Sequence, residues 1–262
     1  PPATRPGIWS CCVNAAVPMA VAGAWSGTVN RDDYVRGKKG PKRRFLALWL
    51  PFLATDRIAR QHLCAAPCDA PLALIAPHRG ALRLAGCNAA ALALGLAPGM
   101  TLADARARVP ELAVMDADPA ADRQWLERIA DACDRFTPLI EAQPPDSLIL
   151  DVTGCLHLFG GEPGLIAAVE AAMRRWASQS RLATAATPEG ARALARFLTT
   201  SGAAEAAGEA AALRCLPVAA LELEGEAERG LRRAGLKQLG DLADRPRAPL
   251  AARFGADLIA RL

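Results

Sequence analysis

No two cysteines in the 262-residue chain are spaced C-x-x-C, and no histidine stands at zinc-ligand spacing from any of them, so the sequence spells out no structural zinc site. The eight cysteines, Cys11, Cys12, Cys64, Cys68, Cys87, Cys133, Cys155 and Cys215, therefore read as reduced, buried small hydrophobes of a cytoplasmic protein. Histidine is scarce too. His62, His78 and His157 are scattered, which suits surface or packing roles better than ligation. An unbroken membrane-length apolar run is also lacking. The stretch Ile8 to Trp25 is interrupted by Asn14 and Pro18 and is too short to span, so no membrane partner is expected. Finally, the formal charge of +4 does not belong to the folded part. Residues 45–262 hold 23 Lys or Arg against 25 Asp or Glu, a net of −2. Bulk attraction to nucleic acid is thereby excluded, and such binding would have to come from local patches.

What is present is enough apolar residue, 52% against 22% charged, to bury a sizeable core in two or three lobes. Residues 1–43 stand apart as a poorly ordered extension. A targeting segment is the alternative there, because Ala20-Val-Ala22 resembles a cleavage site. The extension closes in a basic linker, Arg31 to Arg44, with seven Lys or Arg against two Asp. That linker is a solvated tether or a phosphate-contacting arm.

The chain is organised around Phe45 to Leu50, an apolar run of strand length that reads as a central strand buried on both faces. Pro51 cannot donate to a ladder and ends it. Leu148 to Val152, entered through Pro144-Pro145, is its expected partner, preceded by a strand from Leu139 to Gln143. Helical spacing covers Phe52 to Ala66. Leu72–Ala76 and Ala81–Ala85 flank a hairpin turn at Pro77 to Gly80. Cys87 to Leu94 is helix-like, Thr101-x-x-Asp104 caps a helix to Val109, and Glu111 to Met115 is a short strand. Ala120 to Phe136 is an amphipathic helix with Trp125, Ile129 and Cys133 on one stripe. Further on come helices at Glu162–Ser178 and Glu189–Thr199 and a strand at Arg181–Ala185. Ala203 to Leu213, rich in Ala and Glu, reads as a low-complexity linker to a small helical lobe. Hairpins mixed with strand–helix crossovers make this α+β.

Two segments, Leu46-Ala-Leu-Trp-Leu-Pro51 and Leu150-Asp-Val-Thr-Gly-Cys-Leu-His-Leu-Phe-Gly-Gly-Glu162, resemble the Y-family, UmuC/DinB-type translesion DNA polymerases, and the likeness runs from about residue 43 to the end. It implies a palm over 43–51 and 117–205, fingers over 52–116 and a small all-α helix-hairpin-helix thumb over 206–262, with the little finger expected to be absent from these residues.

Against the family pattern, the oxygen donors are largely missing. The D-x-D pair of the first strand falls on Leu48 and Leu50. The S-x-D-E element reads Pro144-Pro-Asp-Ser147, which keeps Asp146 and puts Ser147 in place of the glutamate. The Y-x-x-R clamp on the triphosphate becomes Ala89-x-x-Leu92, the palm lysine becomes Gly190, and the residue beside the sugar is Leu53. Two-metal nucleotidyl transfer needs hard oxygen ligands, which leucine does not offer. Leu48 and Leu50 lie two apart on one face and should fill the old site with hydrocarbon. Asp146 is a residual metal candidate. Asp151, five residues on, faces the other way and reads as a turn cap. In the thumb, Arg232, Arg233 and Lys237 are the DNA-binding candidates, opposed by the three glutamates of Glu222-Leu-Glu-Gly-Glu226, which repel phosphate.

The resemblance then implies a catalytically inactive scaffold without a cofactor. Its partners would be a sliding clamp, a RecA-like accessory protein and an error-prone replicative-type polymerase, with primer-template DNA as a further candidate. The partner-binding tails are expected beyond residue 262. An active lesion-bypass polymerase using Mg²⁺, and a plain DNA-binding module, are the alternatives.

Overall fold

β1 (Phe45–Trp49) lies at the centre of a five-stranded sheet of order β5-β6-β1-β7-β8. Its neighbours are β6 (Ser147–Asp151) and β7 (Arg181–Ala185), both antiparallel, with Leu48 opposite Leu148 on one side and Leu182 on the other. β5 (Ile140–Gln143) and β8 (Gly202–Ala203) close the two edges. The computed structural model describes residues 43–61, 70–198, 202–203, 206–223 and 225–262. The N-terminal extension, His62 and Cys11, Cys12, Cys64 and Cys68 lie outside these.

Strand alternation gives the sheet two apolar faces. Leu46, Leu48, Leu50, Leu148 and Leu150 pack on one side against α4 (Pro119–Cys133) and α5 (Glu162–Met173). Phe45, Ala47, Ile149, Ala183 and Ala185 pack on the other against α6 (Pro188–Phe197). The buried stripe of α4 is Leu126, Ile129 and Cys133. Trp125 is only half-buried. It meets Trp176 edge-on at 5.2 Å between ring centres, so the stripe is centred one residue away from where Trp125 would put it.

A second sheet of order β3-β2-β4 is built from β2 (Leu72–His78), β3 (Ala81–Cys87) and β4 (Ala113–Asp116). The two-residue turn Arg79-Gly80 has positive φ at both positions, 50° and 79°, the primed geometry that matches strand twist. Between β3 and β4 run α2 (Ala89–Ala93) and α3 (Leu102–Arg108). Asn88 Oδ1 accepts from the Ala91 and Leu72 amides, and Asn88 Nδ2 donates to the Ala70 carbonyl, which pins α2 to β2. Thr101 Oγ1 accepts from the Asp104 amide and caps α3.

The stretch read as a linker is different in the structure. Ala206–Cys215 forms α7, and its buried Glu209 reaches back to the start of β1. Arg44 Nε and Nη2 donate to Glu162 at 2.7 and 2.8 Å, and Arg44 Nη1 donates to Glu209 at 2.5 Å. Glu209 also accepts from the Ala186 amide, and Thr184 bonds the Glu162 carboxylate. Burial alone would raise the Glu162 pKa, but the Arg44 and Thr184 hydrogen bonds and the Arg44 charge outweigh it and hold the carboxyl below its ordinary value. A run of Ala and Glu is thus ordered by one arginine 165 positions away.

Beyond a 3₁₀ turn at Val218–Leu221, the C-terminal lobe comprises α8 (Gly225–Arg233), α9 (Leu239–Ala243), α10 (Arg247–Phe254) and α11 (Ala256–Arg261) around Val218, Leu231, Leu242 and Leu258. Of the described cysteines, Cys87 and Cys133 are buried and burial pushes the Cys133 thiol up to about 11. Cys155 is half-buried and Cys215 is exposed, so the reading of all cysteines as core residues fails for these two. Among the described residues, no helix is long and apolar enough to cross a membrane.

Candidate active site

The C-terminal end of β1 and the entry to β6 meet where a polymerase of this pattern would hold its metals. The Leu50 amide donates to the Asp146 carbonyl at 2.9 Å, which fixes the two segments side by side. Leu48 and Leu50 expose none of their surface, and Leu53, in the first turn of α1 (Leu53–Gln61), exposes 3%. Their packing partners are Leu126, Leu148, Leu165 and Val169. The positions that would carry the D-x-D pair are therefore buried hydrocarbon, with Leu50 packed where the core meets the wall of the cleft between the two sheets.

Asp146 turns to the other side of the sheet. Its Oδ1 accepts from Arg196 Nη2 at 2.5 Å and from the Ser147 hydroxyl at 3.0 Å, and its Oδ2 accepts from Trp49 Nε1 at 2.9 Å. Trp49 alternates with Leu48 and Leu50, which is why it can reach this side. The Arg181 and Arg196 guanidiniums lie 5.3 and 5.8 Å from the Trp49 ring centre. Asp151 accepts from the Thr153 amide and hydroxyl at 3.0 and 2.6 Å and caps that turn, but it does not face away from Asp146: it lies opposite Phe45 on the α6 side, where the Asp146 carboxylate also turns because Asp146 precedes β6 and escapes its alternation.

A pair of Mg²⁺ ions held in octahedral oxygen shells is a poor fit to this donor set. Two of the positions offer methyl groups, Ser147 is buried with its hydroxyl turned to Asp146, and the Asp146 carboxylate is occupied by a guanidinium, a hydroxyl and an indole. Among the described residues, no three His, Cys, Asp or Glu come close enough to hold a metal ion.

Between the two sheets runs an open cleft of about 500 Å³, walled largely by Pro51, Leu53, Leu74, Pro144 and Pro145. Its charged residues are Asp122, Arg123 and Asp146, the last lining it at the entry to β6 while its carboxylate is engaged by Arg196, Ser147 and Trp49. Arg57 Nε donates to Asp122 at 2.7 Å, so that carboxylate is also engaged. Ala89 and Leu92 stand exposed on α2, where they offer no donor to a triphosphate. Gly190 is buried in the first turn of α6, its amide donating to Thr187 Oγ1 at 3.1 Å. A Cβ there would sit 2.9 Å from that oxygen and 3.4 Å from Ala185 Cβ, so a side chain at this position would require Thr187 to shift.

The structure separates these residues from the thumb candidates. Arg232 and Arg233 are exposed at the end of α8 and Lys237 is exposed beyond it, with Arg232 paired to Glu228 at 2.8 Å. The expected phosphate-repelling trio is altered at its first member. Glu222 is paired with Arg192 and with Arg196, the latter at 2.5 Å, so its charge is neutralised. Glu224 lies outside the described residues, and Glu226 is exposed. Glu222 also has φ of 48°, a left-handed conformation that costs a non-glycine residue about 1 kcal/mol. Sequence reasoning missed Arg192, Arg196 and Trp49. The available signals were the i, i+4 spacing of the two arginines on α6 and the strict alternation along β1.

Comparison with known proteins agrees with this architecture. Residues 68–196 match the impB/mucB/samB family model. Protein ImuB from two strains of Caulobacter vibrioides is 44% identical over 169 residues, which is 64% of this chain and 37% of that protein. Solved structures of DinB from Sulfolobus solfataricus and of an insertion ternary complex of Dbh DNA polymerase align with TM-scores of 0.66 and 0.67 at 16% and 17% identity. Each alignment covers 83% of this chain and 65% of the other. The chain thus spans little more than a third of the curated relatives and under two thirds of the solved chains. With this fold and this cleft, the chain is similar to the impB/mucB/samB family over residues 68–196 and to protein ImuB over 169 residues, and it has the fold of the DinB and Dbh polymerases.

Proposed function

We propose that the chain is the polymerase-like part of a non-catalytic subunit that serves as a scaffold in DNA-damage-induced mutagenic translesion synthesis in the cytoplasm. The observation that carries this reading is the burial of Leu48 and Leu50 in the core at the two positions where nucleotidyl transfer needs oxygen donors. The absence of donors at Ala89 and Leu92 and of a lysine at Gly190 supports it, because a site that binds no nucleotide has no use for either. Similarity to ImuB supports a sliding clamp, a RecA-like accessory protein and an error-prone replicative-type polymerase as partners of the whole protein. On the same reading, the palm is 43–51 and 117–205, the fingers 52–116 and the thumb 206–262. Exposed Arg233 and Lys237, with Glu222 neutralised, support primer-template DNA as a ligand of the thumb without chemistry.

Single-turnover primer extension with excess protein tests this. With Mg²⁺ or Mn²⁺ and all four deoxynucleotides, no product above the protein-free background is expected. Incorporation that disappears in the Asp146→Ala variant overturns the proposal.

A further inference from the structure

We infer that Arg196 has taken over the charge-balancing place of a metal at Asp146, and that the resulting Asp146–Arg196–Glu222 relay latches the C-terminal lobe to the central sheet. Three elements otherwise distant in sequence meet here: the entry to β6, helix α6, and the residue that leaves the Val218–Leu221 turn. Arg196 uses opposite ends of one guanidinium, Nη2 on Asp146 and Nη1 on Glu222, each at 2.5 Å. Arg192, one turn earlier, pairs with the second Glu222 oxygen and donates to Gln143 Oε1 at 3.0 Å, so the latch also reaches edge strand β5. From the lobe side, Arg261 Nη1 donates to the Leu221 and Glu222 carbonyls at 3.2 Å each.

The backbone at Glu222 is a separate observation pointing the same way. The residue sits in left-handed geometry that glycine adopts without strain, so a side chain here needs compensation, and the two guanidiniums supply it. The members of the relay are between a fifth and a third exposed. Water and salt therefore reach it, as suits an openable latch more than a core element. The relay thus adds charge pairing to the apolar contacts that Leu216, Ala220 and Leu239 make with α6. The inference rests on the non-catalytic reading only in that Asp146 holds no metal.

Hydrogen–deuterium exchange of the full chain tests the latch. Glu222→Gln and Glu222→Gly are each expected to speed exchange of the amides of residues 216–223 by about fivefold to tenfold, the glycine variant showing that the carboxylate, not the backbone strain, is responsible. Asp146→Asn, which does not touch the lobe, is expected to speed the same amides through Arg196. Overturning results are unchanged rates at 216–223 in both Glu222 variants, or a response to Glu222 variants but none to Asp146→Asn. Exchange rates do not depend on nucleotide incorporation, so a failed latch and a failed non-catalytic reading are told apart.

Discussion

Leu48→Asp is expected to destabilise the fold by about 4 kcal/mol or more, a fall in thermal midpoint of roughly 10 °C, instead of rebuilding a metal site. Leu48 exposes no surface and packs among the leucines of α4, α5 and β6. An ionised carboxylate there would lose its water with no cation placed to receive it, because Arg196 lies across the sheet with Asp146. Leu48→Met, which conserves volume, should cost under about 1.5 kcal/mol and serves as the control. Differential scanning calorimetry with and without 10 mM Mg²⁺ reads the outcome. Wild-type stability in Leu48→Asp, or recovery on adding Mg²⁺, would mean the pocket is wet and can coordinate.

Arg44→Met is the second large effect. Removing Arg44 from a largely buried ion cluster leaves the Glu162 and Glu209 carboxylates without their shared cation, at a cost of about 3 kcal/mol near neutral pH. The pH dependence has a definite sign. The folded-state pKa of Glu162 is depressed, so its contribution is fully present above the unfolded carboxyl value of about 4.3 and is lost as pH falls through the lower folded value. The stability gap between wild type and Arg44→Met should therefore be widest near pH 7 and shrink below about pH 4. A gap of constant size from pH 7 to pH 3, measured by denaturant unfolding, would assign the loss to packing of the arginine stem alone.

The central strand was legible because Phe45 to Leu50 has no polar residue to oppose a two-sided burial, and its end was fixed by Pro51. Gly80 and Thr101 likewise mark their turn and cap through local chemistry. The parts that could not be read depend on distant partners. Ala206 to Cys215 spells low complexity until Glu209 is placed against Arg44. Glu222 reads as a repulsive charge until Arg192 and Arg196 are brought beside it from α6. The α4 stripe was displaced toward Trp125 because the i, i+4, i+8 spacing of Trp125, Ile129 and Cys133 competes with the i, i+3, i+7 spacing of Leu126, Ile129 and Cys133. At Leu48, Leu50 and Asp146 the sequence shows only which residue types stand there, and the structure adds their surroundings: the two leucines are buried in the core, and the Asp146 carboxylate is engaged by Arg196, Ser147 and Trp49.

Manganese binding followed by electron paramagnetic resonance is the most direct test of the proposal that a polymerase centre has been converted to core. Titration of the full chain with Mn²⁺, with and without deoxynucleotide, should show no saturable site tighter than about 1 mM and no difference between wild type and Asp146→Ala. One or two micromolar sites that vanish in Asp146→Ala would contradict the account.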